Sequence, residues 1–113
     1  MVKKRLYEKG DIIYVDCMPQ AGHEQNGRRP ALVISSSTYN KLCDGFAVVC
    51  PITNTDRHHP LHIPLADKCK TTGFVMVDQF RSMDINSRNA EYYDKAPNEI
   101  VKSVIDIVNE ILE

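Results

Sequence analysis

The chain has no apolar run approaching the length of a membrane span. Its start, Met1-Val2-Lys3-Lys4-Arg5, leads into no signal-like apolar core. Together these absences make a cytoplasmic protein, with no membrane partner, the expectation. There is no C-x-x-C pair. The four cysteines, Cys17, Cys43, Cys50 and Cys69, are widely spaced, which favours reduced thiols over a disulfide framework. None sits in an electropositive or glycine-rich elbow, so a cysteine nucleophile is disfavoured. Net charge is only −1, and no global basic field advertises nucleic acid. Internal repeats and low-complexity tracts are lacking. So is a glycine-rich phosphate cradle, because Gly22 and Gly27 lead to Arg28 and Arg29 rather than to the lysine and hydroxyl of a P-loop.

What is present fits one domain spanning residues 1–113, with 42% apolar and 26% charged residues. That length can bury a core without staples. Charge is unevenly spread: residues 1–93 carry +2 and residues 94–113 carry −3. A mildly basic body of this kind permits a local anion site.

The β-prone runs are short. Gly10-Asp11 signals a turn into Ile12 to Val15, and Ala31 to Ser35 is a second strand headed by Pro30. Ser36-Ser37-Thr38 suits a turn or the start of a short helix. Asp44-Gly45 turns into a third strand, Phe46 to Cys50, which ends in the polar corner Pro51 to Asp56. Leu61 to Leu65 reads as an edge strand because Pro64 cannot donate to a central ladder. Phe74 to Val77, running on to Gln79, is a fifth strand, and Arg81 to Ile85 a sixth; residues 86–96 have no clear pattern. Pro97 and Glu99 suit a helix start, and Val101, Val104, Ile105, Val108, Ile111 and Leu112 recur at helical spacing. The fold expected is mainly β with helices: a small, strongly bent antiparallel sheet or barrel with a C-terminal helix.

Three features could carry chemistry. His58, His59 and His62 cluster, but adjacent histidines on extended chain point apart and no carboxylate or thiolate stands at a familiar zinc spacing. Exposed loop histidines, with no metal and no cofactor, are the expectation. The five tyrosines could stack on bases, yet they more often serve core or rim. The third feature is the segment Cys17 to Pro30, long for so small a domain and rich in polar residues. It delivers Glu24, Gln25, Arg28 and Arg29 to the head of the second strand. Two guanidiniums there are either solvated loop groups or a site for a phosphate or an RNA backbone. Were strands two and three antiparallel neighbours, Arg29 would lie near Thr53. A guanidinium, a hydroxyl and the Glu24 carboxylate would then converge, a set able to bind a phosphodiester and stabilise added charge.

These residues carry a resemblance. Gly10-Asp11-Ile12-Ile13-Tyr14-Val15-Asp16, the block from Gly22 to Ser35 with its G-x-E-Q-x-G-x-R-P-A pattern, Pro51-Ile52-Thr53, and Asp78-Gln79 with Ser82 resemble the MazF/PemK family of toxin endoribonucleases over about residues 8–112. The resemblance implies an SH3-like barrel assembled as a homodimer, metal-independent cleavage of single-stranded RNA at a short sequence, and neutralisation by an antitoxin with an acidic, partly disordered tail. It implies that Arg29 binds the phosphate and carries transition-state charge while Thr53 hydrogen-bonds a phosphoryl oxygen. Glu24 orients Arg29 or relays a proton, and Gln25, Arg28, Gln79 and Ser82 contact RNA. The 2′-hydroxyl attacks phosphorus, leaving a 2′,3′-cyclic phosphate and a 5′-hydroxyl. The alternatives are a toxin of the same fold that binds and poisons DNA gyrase, and an inactive binding module.

Overall fold

The computed structural model describes residues 5–16 and 27–113. Seven strands, β1 (Asp11–Asp16), β2 (Arg28–Val33), β3 (Phe46–Thr53), β4 (His62–Pro64), β5 (Phe74–Met76), β6 (Arg81–Asp84) and β7 (Glu91–Lys95), form one antiparallel sheet. Its order is β4-β5-β3-β2-β1-β7, with β6 also pairing β3. The path does not close on itself, so this is the bent sheet rather than a sealed barrel. Helices α1 (Ser37–Leu42) and α2 (Asn98–Leu112) complete it.

Strand alternation explains the central apolar runs. Ile12, Leu32, Cys50 and Ile52 face one core with Val75, Val77, Ile100, Val101 and Val104. Their neighbours Ile13, Ala31, Val33 and Val49 face a second core with Tyr7, Met83 and Ile85. Successive side chains of a strand point to opposite faces, so strands covered on both sides are apolar without interruption. Burial also sets the chemistry of Cys50. Desolvation, followed by the charge of Asp78, pushes its thiol up to about 12. Cys43, Cys50 and Cys69 are all free thiols.

Several boundaries differ from the sequence expectation. β2 begins at Arg28 and holds Pro30 inside it, opposite Tyr14 of β1. Pairing to β3 starts only at Ala31, so the missing Pro30 N–H breaks no ladder on that side. β3 runs through Pro51 to Thr53. Pro51 lies where β3 exchanges β6, paired as far as Val49, for β5, paired from Ile52. After Met76 the chain coils into a 3-10 turn at Val77–Gln79 rather than continuing as strand. Residues 91–95, which had no sequence pattern, form β7 on the open side of β1. Pro97 is the N-cap of α2 rather than its first residue. Ser36 caps α1 by accepting the Tyr39 N–H at 3.1 Å, as a hydroxyl at a helix start should.

Among the described residues no helix is long and apolar enough to cross a membrane.

Candidate active-site groove

The antiparallel register of β2 and β3 pairs Ala31 with Pro51. Continued by two residues, it sets Arg29 opposite Thr53. The ladder itself ends at Ala31 and Pro51, and positions equally far beyond a pair lie on one sheet face. Both line a groove of about 680 Å³, along with Tyr14, Pro30, Ile52, Asn54, Lys70, Thr72 and Tyr93.

The two adjacent arginines have different fates. Arg28 is half-buried and fully engaged: its Nη1 donates to Asp16 Oδ1 at 2.6 Å, and Nη2 to Tyr14 O at 3.1 Å, Asn89 O at 2.5 Å and Glu91 Oε1 at 3.1 Å. The Asp16 carboxyl is held below its usual range, first by the Asn89 side-chain amide and then by this guanidinium. Arg29 is exposed and has no hydrogen bond or ion pair to any described residue. One arginine ties β1, β2 and the start of β7 together. The other keeps five donors for a ligand. Arg28→Ala would strand two carbonyls and two carboxylates, so a loss of roughly 1–3 kcal/mol and a Tm several degrees lower are expected from thermal melting.

Thr53 is also oriented. Its Oγ1 accepts the Thr55 N–H at 3.1 Å. That contact occupies a lone pair and leaves the hydroxyl proton to donate elsewhere. Beside it, the Thr72 hydroxyl donates to Asn54 Oδ1 at 2.9 Å. Gly73 has a φ of +111°, and a Cβ there would stand 2.4 Å from the Thr53 carbonyl oxygen. The close crossing of these chains therefore depends on the absence of a side chain.

The segment before Gly73 hangs on Asp94. Thr71 donates both its N–H, at 2.7 Å, and its hydroxyl, at 2.8 Å, to Asp94 Oδ2. Burial alone would raise the Asp94 pKa; the hydrogen bonds from Thr71, Lys95 and Cys69 outweigh it and hold the carboxyl below its ordinary value. A depressed carboxyl stabilises the fold fully above its unfolded pKa, about 4. That contribution fades as pH falls through the lower folded value. Asp94→Ala should lower Tm by several degrees at neutral pH and flatten the acid limb of a Tm-against-pH curve, measured from pH 2 to 7.

The remaining residues singled out from sequence fall elsewhere. Glu24 and Gln25 lie outside the described residues. Gln79, in the 3-10 turn, and Ser82, on β6 opposite Val48, are exposed and do not line the groove of a single protomer. The histidines differ from exposed loop groups. The His62 side chain is only 4% exposed, on β4, and its Nε2 faces Asp78 Oδ1 at 3.4 Å; the Nε2 of His59 faces Oδ2 at 3.7 Å. The rings stack at 4.5 Å. One nitrogen from each and one carboxylate oxygen lie within 4.8 Å of one another. However, His59 Nδ1 accepts the Leu61 N–H at 3.0 Å, which places that ring's neutral-state proton on the Nε2 facing the carboxylate. A cation there would have to evict that proton against a backbone donor. The arrangement sets β4 and the loop before it against the 3-10 turn that carries Asp78.

Lys70, Asn54, Thr72 and Tyr93 are groove residues that sequence reasoning passed over. Thr71-Thr72-Gly73 was legible only as a turn, and Tyr93 stood in the stretch without pattern. The one available signal was the polar run Thr53 to Thr55 recurring in Lys70 to Thr72, two segments that the β3–β5 pairing brings side by side.

Comparison with known proteins adds the following. A model of the PemK-like, MazF-like toxin of type II toxin-antitoxin system matches residues 8–112. The chain is 38% identical over 118 residues to the endoribonuclease toxin ChpB of Escherichia coli (strain K12), with all of both chains covered. It is 32% identical over 111 residues to the endoribonuclease toxin MazF of the same strain, covering 96% of this chain and 98% of that one. Among solved structures, a MazE-MazF crystal structure from Deinococcus radiodurans superposes with a TM-score of 0.87 at 35% identity, covering 96% of this chain and 97% of that one. MazF alone from that organism superposes with a TM-score of 0.84 at 35% identity, covering 96% and 98%.

Proposed function

This chain belongs to the PemK-like, MazF-like toxins of type II toxin–antitoxin systems, and from that premise we propose that it is an endoribonuclease cutting single-stranded RNA at a phosphodiester gripped by Arg29 and Thr53. The observation that carries the reading is the Arg29 guanidinium, without a hydrogen bond or ion pair among the described residues, in one groove with the Thr53 hydroxyl. As the 2′-hydroxyl attacks phosphorus, the non-bridging oxygens gain charge. Arg29 offers two parallel donors to them and Thr53 a third, an arrangement that binds the transition state better than the ground state. The bond from phosphorus to the 5′-oxygen breaks, giving a 2′,3′-cyclic phosphate and a 5′-hydroxyl. Arginine is a poor base, with a pKa above about 12. The role of Glu24 is to orient Arg29 or relay the proton.

Charge stabilisation by fixed donors makes the reaction metal-independent. Gln79 and Ser82 are RNA contacts beyond the groove, where a homodimer extends the surface; Gln25 is a further RNA contact, and Arg28, in the groove wall and tied to Asp16, contacts RNA while fixing the register of β2. Recognition of flanking bases makes cleavage sequence-specific. The partner is an antitoxin whose acidic, partly disordered segment folds over the cationic groove, coupling its ordering to binding. The MazE-MazF complexes of the structural relatives support such a partner.

Incubating the purified protein with a long single-stranded RNA in EDTA tests the proposal. Discrete fragments with 5′-hydroxyl ends support it, and Thr53→Ala should slow their appearance on the order of a hundredfold. Intact RNA with inhibited gyrase points to the gyrase-binding alternative, and binding without scission to an inactive module.

A further inference from the structure

Besides Arg29 and the carboxylate-paired Arg28, the groove holds a third cation, Lys70, that the scissile-phosphate chemistry does not use. Lys70 is exposed, and among the described residues no carboxylate oxygen lies within 4.0 Å of its ammonium. Its Nζ instead rests 4.2 Å from the centre of the Tyr93 ring. That ring is itself propped edge-on against Tyr14 at 4.8 Å, with 76° between the planes. Behind Lys70 the chain is pinned through Thr71 to Asp94. Lys9 and Lys41 also lack a carboxylate partner among the described residues, but neither lines this groove, and the remaining described lysines are paired. Lys68 is paired to Glu99, Lys95 to Asp11 and Glu8, and Lys102 to Asp106.

We propose that Lys70, seated on the Tyr93 ring, forms a phosphate subsite for the phosphodiester next to the scissile one. The assignment rests on the groove being the RNA site. An aromatic face attracts an ammonium without neutralising it, so Tyr93 positions the charge and leaves its donors for an incoming anion. A carboxylate seat would have cancelled the charge. Lysine is a compact point charge on a flexible stem, suited to holding a backbone phosphate rather than to reading a base. Lys70 and Arg29 line the same cavity, so one strand running through it meets both in turn. Arg29 grips the reacting phosphate, whose charge grows in the transition state. Lys70 grips a phosphate whose charge does not change, so its contribution is uniform binding: it belongs in KM and not in kcat.

The test measures binding and turnover separately. The probe is an oligonucleotide spanning a cleavage position mapped with wild-type protein, carrying deoxyribose at that position so that it binds without being cut. Its Kd is taken across a salt series. Lys70→Gln, a change at an exposed side chain, should weaken binding roughly tenfold. It should also reduce the slope of log K against log salt by about 0.7 for each Lys70 the strand meets, the increment for one single-strand phosphate contact. The kcat on cleavable RNA should stay within about twofold. Lys70→Arg should restore the slope. Tyr93→Leu should weaken binding without flattening the salt dependence, because the charge remains but loses its seat. An unchanged slope and Kd in Lys70→Gln, in protein that still cleaves, overturns this subsite and leaves the nuclease reading standing; that result would give the ammonium to a carboxylate of a protein partner instead. A wild-type protein that neither binds nor cuts RNA fails at the earlier step.

Discussion

Arg29→Ala protein should cleave RNA on the order of a hundredfold more slowly than wild type while melting at the same temperature, the loss seen when one preorganised charge-stabilising donor is removed. The two halves of that expectation come from one observation. Arg29 contacts no described residue through hydrogen bond or ion pair, so truncating it leaves no described group unsatisfied. Its neighbour Arg28 shows the opposite pattern, with four acceptors on its guanidinium. Single-turnover cleavage and thermal melting on both variants therefore separate chemistry from scaffold: one loses rate, the other Tm. Arg29→Lys should not recover the rate, because a point charge cannot offer two parallel donors to one phosphoryl group. Full-rate cleavage by Arg29→Ala would remove this residue from the mechanism.

Gly73→Ala should be nearly as damaging, though Gly73 makes no contact with substrate. A methyl group at this position would meet the Thr53 carbonyl at 2.4 Å and Asn54 Oδ1 at 3.0 Å. The Thr53 carbonyl cannot retreat easily, since Thr53 is paired to Phe74 on the adjoining strand and the Gly73 carbonyl accepts the Leu65 N–H at 2.9 Å. Alanine at a φ of +111° adds about 1–3 kcal/mol of backbone strain. A displacement of Thr53 by about 1 Å would cost up to a hundredfold in rate. The expected result is a lower Tm together with a kcat loss approaching that of Thr53→Ala. Combining the two substitutions should give much less than the product of their rate effects, since both act through one hydroxyl. Independent, multiplicative losses would show that Gly73 supports the fold alone.

That Arg29 and Thr53 come to one groove was legible in the sequence because it needs only two apolar strands and a register. The polar and apolar residues of Arg28 to Ile34 and Phe46 to Thr53 supply both. Helix α2 was legible from its spacing, including the buried Ile100 and Val104. Strand β7 was not. Its residues, Glu91 to Lys95, are half-exposed at best, and a bulge between Ile12 and Ile13 interrupts its register with β1, so pairing rather than composition makes it a strand. The 3-10 turn at Val77–Gln79 was hidden for the converse reason: Val77 is fully buried and reads as a strand residue, although the chain has already turned. Lys70 was invisible as a groove residue because its place depends on Tyr93, which sits on that unreadable strand. The divergence of Arg28 and Arg29 is likewise a matter of tertiary partners, since Asp16 lies 12 residues away along the chain and Asn89 and Glu91 lie 61 and 63 away.

The tethering of Arg28 has a consequence for how such a protein can change over generations. A strand slipped by a single residue would exchange the two guanidiniums, putting the bound one in the groove and the free one in the scaffold. Four acceptors on Arg28 oppose that slip. Whatever is added to or removed from the chain upstream is absorbed before it reaches the chemistry. Evolution can then rewrite the preceding segment around Glu24 for a new target while the cutting group stays in phase.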